Sequence, residues 1–71
     1  MKPLVEGLVI KNAAGFYLVL KDMDTGKFRL VNLYTGVIYV YDENFIKEYR
    51  ESTEDTSVEF YIKDALANVK I

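Results

Sequence analysis

Three apolar runs fill the middle of the chain: Phe16-Tyr17-Leu18-Val19-Leu20, Phe28-Arg29-Leu30-Val31-Asn32-Leu33 and Val37-Ile38-Tyr39-Val40-Tyr41. Short runs rich in β-branched and aromatic residues and bounded by turn residues read as strands. The separators Asp24-Thr25-Gly26 and Tyr34-Thr35-Gly36 share the form x-Thr-Gly. A three-residue hairpin loop ends on a residue with positive φ, a conformation that costs Gly nothing because it has no Cβ. The pattern therefore predicts two successive hairpins, with Met23 opposite Lys27 and Leu33 opposite Val37.

Counting from those pairs fixes the rest. One face reads Leu20–Leu30–Val40 and Leu18–Asn32–Ile38, with Asp22–Phe28–Asp42 at one end; this Leu-rich face is expected to be the core. The other reads Tyr17–Leu33–Val37, Val19–Val31–Tyr39 and Lys21–Arg29–Tyr41. An antiparallel sheet with a solvated side should be polar on that side. The second face is apolar, which predicts that the chain's own ends, a second copy or another partner covers it.

The flanking segments complete the outline. Strands are predicted at about 7–11, 16–22, 27–33, 37–41 and 57–63, and a helix at about 43–51. Asp42 can cap that helix, Glu43 sits in its first turn, and Phe45, Ile46 and Tyr49 share a face. Ser52-Thr53-Glu54-Asp55-Thr56-Ser57 has no apolar residue and reads as a solvated loop. After it, Val58, Phe60 and Ile62 alternate with Glu59, Tyr61 and Lys63 as in a half-buried strand, with a further short strand near 66–71. Val58, Ile62, Ala65, Leu66 and Val69 also fall on one helical face, so a helix is the alternative.

Composition narrows the chemistry. The 71 residues form a single domain, 1–71, since so short a chain builds one core and buries only about 60% of its unfolded surface. Six Tyr and four Phe, with many Val and Ile, indicate a folded chain. The absence of Cys excludes disulfides, thiolate metal sites and a cysteine nucleophile, and the absence of His removes the usual base for neutral pH. No apolar run reaches the length of a signal peptide or membrane span, so a cytoplasmic protein without a membrane partner is expected.

From Phe16 to Tyr49, the Tyr17-Leu18-Val19-Leu20 strand, the Phe28-Arg29-Leu30-Val31-Asn32-Leu33 strand, Tyr34-Thr35-Gly36 and the Phe45-Ile46-Lys47-Glu48-Tyr49 helix resemble small uncharacterised proteins of bacteriophages and prophages. The resemblance covers about half of the chain. It implies a mostly β fold with one short helix, either a small curled antiparallel sheet or an SH3-like barrel, and an accessory role in a phage within the host cytoplasm. It supplies no catalytic residue.

Candidate chemistry is sparse. Asp22, Asp24, Asp42 and Glu43 could gather oxygens around a hard cation, but a turn residue and a helix cap account for Asp24 and Asp42 without one. Ser52 and Ser57 have no activating His, the four Gly are dispersed, and so short a chain leaves little room for a substrate cleft. Neither an enzyme, a cofactor nor a small-molecule substrate is therefore expected. Two binding readings remain. Tyr17, Val19, Val31, Leu33, Val37 and Tyr39 form the candidate interface for self-association or capture of another protein. Lys21, Arg29 and Tyr41, on the same expected face, are the candidate nucleic-acid contacts, through phosphate-binding cations beside a stacking ring. A net charge of −2 does not favour a phosphate-dominated contact.

Overall fold

A computed structural model describes residues 2–67. The elements run β1 (Leu8–Asn12), β2 (Gly15–Lys21), β3 (Phe28–Asn32), β4 (Ile38–Tyr41), α1 (Glu43–Ser52), a 3₁₀ turn (Glu54–Thr56), β5 (Val58–Tyr61) and α2 (Ile62–Ala67). The strands form one antiparallel sheet in the order β4-β3-β2-β1-β5. It is an open sheet with β4 and β5 at its edges, so the mostly β expectation holds as an antiparallel sheet that does not close into a barrel. The chain climbs from β1 to β4 as a meander, crosses one face through α1, and returns to place β5 beside β1.

That return makes β1 an inner strand, and its Leu8, Val9 and Ile10 are consecutive and all buried. With the side chains on both of its faces withdrawn from water, the strand has no reason to alternate, which explains the unbroken apolar run. On the face beneath α1, Leu8, Ile10, Val19, Phe28 and Leu30 pack around Ile46 of the helix. Asp42 caps α1 as expected, its carboxylate accepting the Phe45 N–H at 2.8 Å.

Both hairpins differ from the expected register by one residue. Leu20 faces Arg29, and Val31 faces Ile38. The loops hold four residues, because Asp22 N–H donates to the Lys27 carbonyl (2.8 Å) and Asn32 N–H to the Val37 carbonyl (2.9 Å). The physical reason lies in the residue that opens each loop. Asp22 Oδ1 accepts the Asp24 N–H, and Asn32 Oδ1 accepts the N–H groups of Tyr34 and Thr35. Such Asx turns satisfy donors within the loop and open the turn at Asp22 and Asn32, one residue earlier than a three-residue loop would. Gly26 and Gly36 close the loops at φ +71° and +77°, the left-handed conformation that the x-Thr-Gly signal predicts.

Because side chains alternate, a one-residue shift inverts β3 relative to both neighbours. The face under α1 therefore carries the rows Lys21–Phe28–Tyr41, Val19–Leu30–Tyr39 and Glu59–Ile10–Tyr17–Asn32. The opposite face carries Leu20–Arg29–Val40, Phe60–Val9–Leu18–Val31–Ile38 and Val58–Lys11–Phe16. The expected core row Leu18–Asn32–Ile38 does not form, and Asp22 and Asp42 do not flank Phe28.

The C-terminal segment divides. Residues 58–61 are strand, as the alternation predicts, but residues 62–67 are helix, so the further strand near 66–71 is absent over 66–67, and its remainder lies outside the described residues. The orientation of β5 is also the reverse of the expected one. Glu59 and Tyr61 lie on the helix-covered face, while Val58 and Phe60 share the face of Val9 and Lys11.

Candidate functional site

The residues expected to form one interface are split between two faces. Tyr17, Val19 and Tyr39 lie on the side of α1, and Val19 is part of the buried core. Val31 lies on the opposite face between Leu18 and Ile38. Leu33 lies within the second loop and Val37 directly follows it, both exposed. The nucleic-acid candidates are split in the same way. Lys21 and Tyr41 share a row through Phe28, whereas Arg29 points to the other side of the sheet. Arg29 Nη2 is held by Asp22 Oδ2 at 2.8 Å, and this hydrogen bond is the first cause of an Asp22 pKa below the ordinary carboxylate value, with the Asp24 N–H adding to it. Arg29 Nε is buried without a hydrogen-bond partner.

On the α1 side the tyrosines collect into a cleft. Tyr17, Tyr39 and Tyr41 from the sheet and Phe45 and Tyr49 from the helix line a cavity of about 280 Å³ floored by Leu30. Tyr41 stacks on Phe45 with centroids 4.0 Å apart and on Tyr39 at 6.0 Å, and Tyr17 meets Tyr49 edge to face at 6.1 Å. The Tyr49 hydroxyl accepts from Asn12 Nδ2, which fastens the end of the helix to the β1–β2 turn. Phe45 and Tyr49 were legible as one helical face, but their meeting with Tyr17 and Tyr39 depends on where α1 crosses the sheet. These rings mostly engage one another, as a covering layer does.

The face away from α1 has the more unusual composition. A single row, Phe60–Val9–Leu18–Val31–Ile38, runs apolar across all five strands. Val9, second from its β5 end, is buried, but the margins of the face are open: Ile38 is 54% exposed, Val40 53% and Val58 62%. Two cations share this face. Arg29 is paired as described, and Lys11 sits toward one end with Nζ 5.4 Å from the centroid of the Phe16 ring. Leu18, Leu20, Ile38 and Val40 belong to this face although leucine content alone suggests a core. The missed signal was Asn32: it stands between Leu18 and Ile38 in the expected register, a polar amide in an otherwise apolar row.

No protein-family model, curated protein or solved structure matches the chain, and nothing found links it to a phage or prophage. Among the described residues no helix is long and apolar enough to cross a membrane, which leaves membrane-spanning strands unaddressed.

Proposed function

We propose that the chain is a noncatalytic module that acts by protein–protein contact, with a second copy of itself seated on the open face of the sheet. The observation that carries this reading is the row Phe60–Val9–Leu18–Val31–Ile38, apolar across five strands and half exposed at its β4 end. An apolar sheet face is stabilised by a second layer. On one side α1 provides that layer; on the other a second copy would, with the two sheets about 10 Å apart as in a sandwich.

Charge supports this occupant. Arg29 is already neutralised by Asp22, and Lys11 is displaced toward one end, so two faces related by a twofold axis bring no like charges to their centre. A domain of this size without disulfide or thiolate metal staples also gains stability from association. Nucleic-acid binding, the alternative, needs Lys21, Arg29 and Tyr41 together, and the sheet lies between them.

Light scattering on a sizing column, at low and high salt, tests the proposal. A mass of at least two chains is expected at both, since an apolar contact survives salt that weakens a phosphate-type contact. Val31→Glu, on the same face but in the inner strand β3, should lower that mass. A single-chain mass for the native protein at both salts overturns the reading.

A further inference from the structure

We propose that β4 is a second assembly element, distinct from the open face: its edge, free among the described residues, pairs with β4 of another copy, antiparallel about a twofold axis at Tyr39. The observation behind it concerns the backbone and not side-chain hydrophobicity. In an antiparallel ladder, alternate residue pairs exchange hydrogen bonds and the intervening pairs do not. Asn32 N–H donates to the Val37 carbonyl, so Asn32–Val37, Leu30–Tyr39 and Phe28–Tyr41 are the bonded pairs. Val31–Ile38 and Arg29–Val40 are then the unbonded ones. The N–H and C=O groups of Ile38 and Val40 therefore point away from β3, off the edge of the sheet.

Exposed edges are ordinarily blunted by Lys, Pro, a bulge or an inward charge. Edge β5 has such a device: Glu59 turns inward to Arg50. β4 has none, and residues 33–41 contain no charged side chain and no Pro. With the twofold axis at Tyr39, Ile38 faces Val40 of the second copy and Val40 faces its Ile38. All four free backbone groups on each strand are satisfied, and only uncharged side chains meet. No other twofold register uses every one of these groups within β4. A second copy is therefore the occupant to which the edge is complementary.

Cysteine cross-linking tests the register, because the chain has no native Cys. Tyr39→Cys would face its own counterpart in an unbonded pair, with Cα atoms about 4.5 Å apart, inside the range a disulfide spans. Val37→Cys would face Tyr41 of the second copy and lie roughly 13 Å from its counterpart. Under mild oxidation the first variant should become a covalent dimer and the second should not. Ile38→Pro, which removes an outward donor and no bond to β3, should reduce cross-linking of Tyr39→Cys at least tenfold while the fold is retained by circular dichroism. Equal cross-linking at 37 and 39, or none at 39, overturns the proposal. The same measurement in a Val31→Glu background separates the two assembly readings. Cross-linking at 39 that persists there belongs to the edge; its loss there assigns it to the face and also overturns the edge proposal. Failure of the face contact is read separately, from the mass of Ile38→Pro, which lacks the edge pairing: two chains there keep the face contact, and one chain overturns it.

Discussion

Arg50 and Glu59 form a buried, two-pronged ion pair between α1 and β5, with Nε 2.8 Å from Oε2 and Nη2 2.6 Å from Oε1. Both side chains are more than nine-tenths buried. The same guanidinium donates to the Lys2 carbonyl, and the Lys2 N–H donates to Glu59 Oε1 at 3.1 Å, so three distant segments converge on one carboxylate. Removing one partner of a buried pair strands the other charge. Arg50→Met should therefore destabilise the fold by about 3–5 kcal/mol. Arg50→Met with Glu59→Leu should recover much of that loss, as denaturant titration of the single and double variants would measure.

The pair also sets an acid limb. Burial raises the Glu59 pKa, but the hydrogen bonds from Arg50 and the Lys2 N–H outweigh it, leaving the carboxyl below its ordinary value. A folded-state pKa below the unfolded one contributes stability that is fully present above the unfolded value, near ~4.3, and is lost as pH falls through the folded value. Melting temperature should hold from neutrality to about pH 5 and fall below pH 4. Glu59→Gln should melt lower at pH 7 and lose less on acidification. A parallel acid limb in that variant would place the titrating group elsewhere.

The register can be tested with charge. Val19 and Val31 both lie mid-strand, yet Val19 belongs to the core under α1 and Val31 to the open face. Val19→Glu buries an unpaired carboxylate and should prevent folding or cost several kcal/mol. Val31→Glu should remain folded and show its effect in the mass of the assembly. Three-residue loops would have placed Val19 and Val31 in one row, so circular dichroism and light scattering would then find the two variants behaving alike.

The loops that set the register make a separate prediction. Asn32→Ala removes the acceptor for the Tyr34 and Thr35 N–H groups and should cost about 1 kcal/mol. Gly36→Ala meets no neighbour but places a Cβ at φ +77°, which should cost about 1–2 kcal/mol. Thermal melts of the two variants would check both values.

The strands, the capped helix and the positive-φ glycines were legible because each depends on a few adjacent residues: the runs at 16–20 and 37–41, Asp42 ahead of Phe45, Gly26 and Gly36. Loop length was legible too, had Asp22 and Asn32 been read as the residues that open each turn. The split of the candidate interface follows from that one count, since a shift of one residue moves Val31 and Arg29 to the far side of the sheet.

What the sequence determined by itself was therefore local: which segments extend, where the chain turns, and that both faces of the sheet would be apolar. With two apolar faces, hydrophobicity could not choose which one the helix covers. That choice came from contacts between residues far apart in the chain. Ile46 packs among Leu8, Ile10, Val19, Phe28 and Leu30, and Arg50 reaches Glu59 only because β5 returns to the edge of β1. Burying Glu59 is costly unless a cation meets it, and the cation is on α1. The ion pair thus ties the orientation of β5 to a helix on the Tyr17 and Tyr39 side, leaving the Ile38 end of the opposite row exposed.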